Sequence, residues 1–142
     1  MPVSNEDPQD TLDRAARVLE RALPGVWAVY VYGSFARGDA WAQSDLDLAV
    51  LLAPRARIPD RLGLVAEISR EVGREVDLVD LREAGLDLIH EVLRDGRQLL
   101  VRRKADVLEW EAERMSDYED FNPRRSDIVD LYLRGPLRRR TS

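Results

Sequence analysis

The chain has 142 residues, enough for one hydrophobic core with little room for a second, so we expect a single domain with a terminal extension. Charged residues make up 35% of the sequence and the formal net charge is -5, which argues against a protein that binds nucleic acid through a general basic surface. The sequence has no cysteine and one histidine, which excludes disulfides and thiolate or multi-histidine zinc sites, so a bound metal must be held by oxygen atoms.

The first half of the chain alternates helical and strand-like patterns. Apolar residues recur at helical spacing up to the Pro-Gly pair at 24–25, which predicts a first amphipathic helix. Its apolar face consists of Leu12, Ala15, Ala16, Leu19, Ala22 and Leu23. Residues 26–32 are rich in β-branched and aromatic side chains, which predicts a buried strand that ends at Gly33. A short helix over 34–37 and a second buried strand over 46–52 follow.

The second half continues this alternation. A helix is predicted over 58–72, with Gly73 as its C-terminal cap. Its buried face is predicted to consist of Leu62, Val65, Ile68 and Val72. Strands are predicted over 76–81 and 98–101, on either side of a helix over 86–93.

The remaining residues predict two further helices, over 104 to about 121 and over 127–134, the second capped by Ser126. The order of the elements indicates an α/β or α+β domain, with a small mixed sheet and helices mainly on one side. We therefore divide the chain into a flexible leader over 1–10, a core over 11–101, and a helical extension with a basic tail over 102–142. No apolar run approaches the ~18 residues of a membrane-spanning helix, so we expect a cytoplasmic protein without a membrane role.

Two aspartates stand at the start of the second strand. Because alternate residues of a strand point to the same face, Asp45 and Asp47 project together. Like charges ~4 Å apart repel by about 4 kcal/mol at an effective dielectric constant near ~20, so we expect Mg²⁺ or Mn²⁺ to offset the repulsion. On the third strand, Asp77 is the candidate third acid, whereas Asp80 points to the opposite face. The alternative for an isolated Asp-x-Asp is a turn residue followed by a solvated edge residue.

A Gly-Ser pair, Gly33 and Ser34, closes the first strand and opens the short helix. At such a junction the free backbone N–H groups and the helix dipole favour a phosphate group. Glycine lets the backbone approach the ligand, the Ser34 hydroxyl adds a donor, and Arg37 one turn later can steady the anion. A plain turn is the alternative for the pair alone. With the paired aspartates ten residues later, the pattern favours a site for metal-bound phosphates.

Together the two half-motifs resemble a known signature. G-S-F-A-R-G at 33–38, followed by S-D-L-D-L-A-V at 44–50, resembles the motif of the DNA polymerase beta superfamily of nucleotidyltransferases. The chain length and E-V-D-L-V-D-L at 75–81 resemble the minimal nucleotidyltransferase branch, many members of which are antitoxins paired with HEPN-domain toxins. The resemblance is specific over about 30–81 and extends more loosely to Val101.

The resemblance implies roles for the site residues. Asp45 and Asp47 would bind two Mg²⁺ ions that hold a nucleoside triphosphate, with ATP as the donor. Asp77 would share one ion and act as the base toward an acceptor hydroxyl. That hydroxyl would attack the α-phosphate and release pyrophosphate by in-line displacement.

The resemblance also implies a protein partner. Relatives that modify antibiotics close the cleft with a helical second domain, which this chain is too short to carry, so a HEPN-family toxin would complete the site. Unless the last two helices cover the sheet instead, the candidate contacts are Tyr118, Phe121, Ile128, Leu131, Tyr132 and Leu133. The implied function is an antitoxin that transfers AMP from ATP to a hydroxyl, in particular a tyrosine, of its toxin. The alternatives are a non-catalytic antitoxin that blocks by binding, and a nucleotidyltransferase for a small molecule or an RNA end.

Three further features receive structural interpretations. Trp41 is expected to pack its loop against the domain, with stacking on a nucleotide base as the alternative. His90 is interpreted as a structural or surface residue. The acid-rich stretches at 67–75 and 109–113 are interpreted as solvated helix faces.

Overall fold

The structure is a computed structural model that describes residues 7–38 and 45–117. The elements are α1 (Pro8–Ala22), β1 (Val26–Tyr32), α2 (Ser34–Arg37), β2 (Leu46–Leu52), α3 (Arg61–Val72), β3 (Val76–Asp80), α4 (Leu86–Asp95), β4 (Arg97–Val101) and α5 (Lys104–Asp117). Trp41, the helix predicted over 127–134 and the candidate partner contacts from Tyr118 onward lie outside the described residues. The helix α1 begins at Pro8, inside the range assigned to the leader, because the Asp7 side chain caps it by accepting a hydrogen bond from the Gln9 N–H.

The four strands form one mixed sheet in the order β3-β2-β1-β4. Strand β1 is antiparallel to both β2 and β4, whereas β2 and β3 are parallel and joined by α3. The predicted α/β fold with a small mixed sheet is therefore confirmed. The parallel pair matters for the site, because the residues that begin β2 and β3 lie at the same end of the sheet.

Helices cover both faces of this sheet, so the prediction that they lie mainly on one side was wrong. Helices α1 and α3 pack on the face that carries Leu48 and Val50, and α4 and α5 pack on the face that carries Tyr30 and Leu51. The physical reason is that β1 and β2 are apolar on both faces, and each face must be shielded from water.

Helix α3 shows where a helical pattern misled the prediction. The helix begins at Arg61 rather than at 58, because the Asp60 carboxylate caps it by accepting a hydrogen bond from the Gly63 N–H. Leu64 is buried, whereas Leu62 is 84% exposed, so the prediction that Leu62 lies on the buried face was wrong. The predicted cap at Gly73 is confirmed by its left-handed φ of 72°.

Helix α5 belongs to the second core. It buries Val107, Ala112 and Met115 against the sheet, so the described part of the extension covers the sheet. Glu111 is also fully buried and accepts a hydrogen bond from the Tyr30 hydroxyl, which corrects the prediction that 109–113 is a solvated face. Each helix among the described residues falls short of the length or the apolar character that crossing a membrane requires.

Candidate active site

One row of three side chains crosses the end of the sheet. In the strand register Tyr32 of β1 pairs with Asp47 of β2, and Asp47 pairs with Asp77 of β3. Neighbouring strands lie ~4.8 Å apart, so the two carboxylates are direct neighbours on one face. This is the face covered by α4 and α5, because alternate residues of β1 and β2 from this row belong to the second core.

The electrostatics of this row are dominated by negative charge. Burial raises the pKa of the Asp47 carboxyl, and the charges of Asp77, Asp45 and Glu91 raise it further, while Arg37 acts in the opposite direction. Asp45 itself is exposed and directly precedes β2. The structure therefore places both Asp45 and Asp77 close enough to Asp47 for their charges to act on it, at the start of β2 and β3.

The carboxylates do not form a ready-made metal cage. Within residues 7–38 and 45–117, no three acidic or histidine side chains are arranged as a ligand group for an ion. Asp47 and Asp77 are paired in the strand register, and Asp45 lies two residues before Asp47 in the chain. The roles of all three residues as metal ligands remain predictions.

Gly33 connects the two half-motifs by steric fit. Its backbone has a φ of 72°, a conformation that glycine adopts with little strain. A Cβ atom at this position would overlap the Oδ2 oxygen of Asp47 and would lie 3.3 Å from its Cγ. The absence of a side chain at Gly33 therefore leaves room for the Asp47 carboxylate beneath the turn. The sequence had suggested only that this glycine lets the backbone approach a phosphate.

The short helix α2 is held by backbone hydrogen bonds at its start and by one buried side chain. The backbone N–H groups of Ala36 and Arg37 both donate to the Gly33 carbonyl at 3.1 Å. Phe35 is buried, and the Arg74 guanidinium lies over its ring at 4.8 Å from the centroid. Ser34 is half-buried and Arg37 is exposed. The charge of Arg37 partly opposes the rise in the pKa of Asp47.

Sequence reasoning missed two residues of the site, Tyr32 and Glu91. Tyr32 is 7% exposed and lies at the end of β1, in register with Asp47. Burial raises the pKa of this phenol, and the charges of Asp77, Asp47 and Glu91 raise it further. The position of Tyr32 directly before Gly33 was a usable signal. Glu91 offered none, since it lies on a helix predicted only as covering structure.

The other acid of β3 has different surroundings. Asp80 is 2% exposed, and the Arg82 guanidinium donates to its carboxylate at 2.7 Å and 3.1 Å. The same side chain donates to the carbonyl oxygens of Ala53 and Ala56, each at 2.8 Å. Burial alone would raise the pKa of Asp80, but the hydrogen bonds and charge of Arg82 outweigh it and hold that pKa below its ordinary value.

Comparison with known proteins places these features in a family. Residues 15–105 match the family described as Polymerase beta, Nucleotidyltransferase. The chain is 30% identical over 118 residues to the protein adenylyltransferase MntA of Shewanella oneidensis, which covers 83% of this chain and 84% of that protein.

Solved structures of similar chains come from toxin–antitoxin complexes. One is a crystal structure of a toxin–antitoxin with AMP-PNP, with a TM-score of 0.68, 29% identity, and coverage of 86% of this chain and 98% of that chain. Another is a tri-AMPylated Shewanella oneidensis HEPN toxin in complex with its MNT antitoxin, with a TM-score of 0.66, 27% identity, and coverage of 89% and 99%. The resemblance read from the two half-motifs is thereby confirmed, and the chain belongs to the polymerase beta nucleotidyltransferase family.

Proposed function

We propose that this protein is an antitoxin that transfers AMP from ATP to a hydroxyl group of a cognate HEPN-family toxin, with a tyrosine as the acceptor, and thereby neutralises it. The observation that carries this proposal is the placement of Asp47 beside Asp77, directly beneath the Gly33 turn. Two adjacent carboxylates and a turn with phosphate-binding donors are the parts that phosphoryl chemistry requires.

The donor and the partner are inferred from the relatives. The similar protein from Shewanella oneidensis is a protein adenylyltransferase, and a similar toxin–antitoxin structure contains the ATP analogue AMP-PNP. A further similar antitoxin is in complex with a HEPN toxin that carries three AMP groups. These findings support ATP as the substrate and a HEPN toxin as both partner and acceptor.

The donor atoms at the site suit Mg²⁺, and Mn²⁺ would accept the same ligands. Asp45, Asp47 and Asp77 offer carboxylate oxygens, and the raised pKa of Asp47, caused by burial and by its negative neighbours, indicates an excess of negative charge that divalent cations would neutralise. Two ions held by these residues would supply charge stabilisation to the triphosphate and to the departing pyrophosphate.

The side chains of the chain itself have distinct tasks in the transfer. The Ser34 hydroxyl and the early N–H groups of the Gly33 turn hold phosphate oxygens, and Arg37 adds positive charge beside them. Asp77 accepts the proton of the acceptor hydroxyl while the oxygen of that hydroxyl forms a bond to the α-phosphorus. The bond from that phosphorus to the bridging oxygen breaks, and pyrophosphate leaves.

The domain division follows from the same proposal. Residues 11–101 form the catalytic core, and residues 102–142 form an extension that contributes to the toxin contact. Helix α5 joins the two parts, since one face of it packs on the sheet in the second core and its other face carries exposed residues such as Glu113 that a partner could contact. A protein that consumes ATP to control a toxin would act in the cytoplasm, where ATP is available.

The experiment that tests this function is purification of the full-length chain from its native host, followed by intact-mass measurement of any protein that accompanies it. We expect a partner whose mass rises by a whole number of AMP units after incubation with ATP and Mg²⁺. The Asp45→Asn, Asp47→Asn double variant should leave that mass unchanged. If the double variant silences the toxin as fully as the wild type, blocking by binding alone is the function.

A further inference from the structure

The loop between α3 and β3 contacts the short helix α2 through one side chain. Arg74 lies in this loop, and the Cζ atom of its guanidinium stands over the Phe35 ring, 4.8 Å from the centroid. Phe35 is 4% exposed and packs in the core on the side of the sheet that α1 and α3 cover. A guanidinium at this distance is attracted by the negative face of an aromatic ring, so the contact ties the loop to α2.

The backbone of this loop is itself held at three points. Gly73 ends α3 in the left-handed conformation, and its N–H donates to the Ser69 carbonyl at 2.8 Å. The Ser69 hydroxyl donates to the Arg74 carbonyl at 2.7 Å. The Glu75 carbonyl accepts a hydrogen bond from the Leu46 N–H at 2.9 Å. Arg74 is therefore anchored both to the end of α3 and to the first residue of β2, beside the acids of the site.

Helix α2 depends on such contacts because it is only four residues long. A single turn is not stable on its own, since nucleation of a helix costs more than one turn of hydrogen bonds returns. Its place is set by the burial of Phe35 and by the hydrogen bonds to the Gly33 carbonyl. Ser34 precedes Phe35 and Arg37 ends the same turn, so a shift of the ring moves both of these side chains.

We propose that Arg74 is a positioning residue for ATP binding. Its guanidinium, lying over Phe35, holds α2 in the place where Ser34 and Arg37 can bind the phosphates. Arg74 acts through the ring rather than by touching the nucleotide. This inference rests on the proposed function, because it takes the roles of Ser34 and Arg37 from it.

The test compares Arg74→Ala with Arg114→Ala in the full-length chain. Arg114 also lies over an aromatic ring, that of Trp110 at 5.5 Å, which packs on the other face of the sheet. Arg114→Ala is therefore a control for the loss of an arginine from an aromatic ring, and it also removes an ion pair of 3.0 Å with Asp117. Calorimetry measures the binding of AMP-PNP with Mg²⁺, and circular dichroism verifies that both variants fold.

We expect Arg74→Ala to weaken the binding of AMP-PNP by about 5- to 10-fold, the range that one contact between a cation and a ring contributes. In AMP transfer, KM for ATP should rise by a similar factor while kcat stays within about twofold of the wild type, because the acids are unchanged. Arg114→Ala should leave the affinity for AMP-PNP within about twofold of the wild type. Equal affinities in Arg74→Ala and Arg114→Ala would overturn the proposal.

A double-mutant cycle shows whether Arg74 acts through the ring. Phe35→Leu keeps an apolar side chain in the core but removes the aromatic face. In the Phe35→Leu background, Arg74→Ala should change the affinity for AMP-PNP by less than about twofold, because the contact is already lost. An equal loss of affinity in both backgrounds would mean that Arg74 acts on the phosphates without Phe35, and it would overturn the proposal.

A further readout does not depend on the nucleotide. The amide ¹H and ¹⁵N resonances of Ser34 and Arg37 should shift in Arg74→Ala and stay in place in Arg114→Ala. If the wild type binds no AMP-PNP, the proposed function fails on its own, and these resonances still decide whether Arg74 sets the position of α2. Resonances that stay in place in Arg74→Ala would refute the positioning role.

Discussion

Strand β3 carries two aspartates, Asp77 and Asp80, that lie three residues apart and face opposite sides of the sheet. Asp80 is almost fully buried and bonded to the Arg82 guanidinium, which holds its pKa below the ordinary value although burial acts the other way. Asp77 is exposed and lies beside Asp47, whose pKa is raised by burial and by neighbouring carboxylates.

The contrast shows how one residue type serves two purposes on one strand. The Asp80 carboxylate accepts hydrogen bonds from the Arg82 guanidinium on both oxygens, which stabilises the fold and leaves few lone pairs for a ligand. Adjacent carboxylates that share little positive charge reduce folding stability, which is typical of groups arranged for binding or catalysis. We therefore assign Asp80 to structure, and we propose Asp47 and Asp77 for chemistry.

The largest expected effect separates these two classes by activity. Asp47→Asn should lower AMP transfer by at least about 1,000-fold, since a metal ligand contributes several kcal/mol of charge stabilisation in the transition state. Asp80→Asn, measured in the same intact-mass assay on folded protein, should keep transfer within about threefold of the wild type. Comparable losses in both variants would remove the distinction between the two acids.

The second prediction concerns stability. Arg82→Ala should lower the free energy of unfolding by about 3 kcal/mol, because it leaves the Asp80 carboxylate buried without its partner. The control is Arg21→Ala, which breaks an exposed ion pair of 3.9 Å with Glu67 and should cost about 0.5 kcal/mol or less. Urea unfolding measures both, and similar costs would show that the Asp80–Arg82 pair is not a structural anchor.

The third prediction tests the fit between the two half-motifs. Gly33→Ala should reduce transfer by about 10- to 100-fold, because the new Cβ displaces the Asp47 carboxylate. Gly73→Ala is the control for a Cβ at a positive φ, since Gly73 has the same φ of 72° and its Cβ would meet nothing within 4 Å. Gly73→Ala should lose about 1 kcal/mol of stability, and Gly33→Ala should lose more, because its ψ of -148° lies outside the left-handed helical region of Gly73. A normal rate in Gly33→Ala would contradict the steric link.

The smallest expected effect is a dependence of stability on pH. Because the folded-state pKa of Asp47 is raised, the folded chain binds its proton more tightly than the unfolded chain, and stability falls as pH rises from the unfolded value near 3.8 through the folded value. Above that value the loss is complete and constant. Asp47→Asn should lack this loss and be more stable than the wild type at neutral pH without added metal. A variant less stable than the wild type at neutral pH would count against like-charge repulsion.

The sequence predicted the strands and the candidate acids well, for a physical reason. Residues 26–32 are a continuous apolar run and residues 46–52 are apolar except for Asp47, so their local pattern favours buried strands. Because side chains alternate between the two faces of a strand, Asp47 and Asp77 could share a face if their strands were neighbours.

What the sequence could not predict depends on contacts between distant residues. The row formed by Tyr32, Asp47 and Asp77 and the overlap of a Gly33 side chain with Asp47 both follow from the strand order β3-β2-β1-β4, which local patterns do not encode. The same holds for Glu111, whose buried carboxylate accepts a hydrogen bond from Tyr30, 81 residues earlier in the chain.

The most direct measurement is a calorimetric titration of the full-length chain with AMP-PNP, in the presence and in the absence of Mg²⁺. We expect saturable binding that requires Mg²⁺, is lost in Asp47→Asn and is kept in Arg82→Ala. Binding without Mg²⁺, or binding that survives Asp47→Asn and is lost in Arg82→Ala, would contradict the assignment of Asp47 and Asp77 to the nucleotide site.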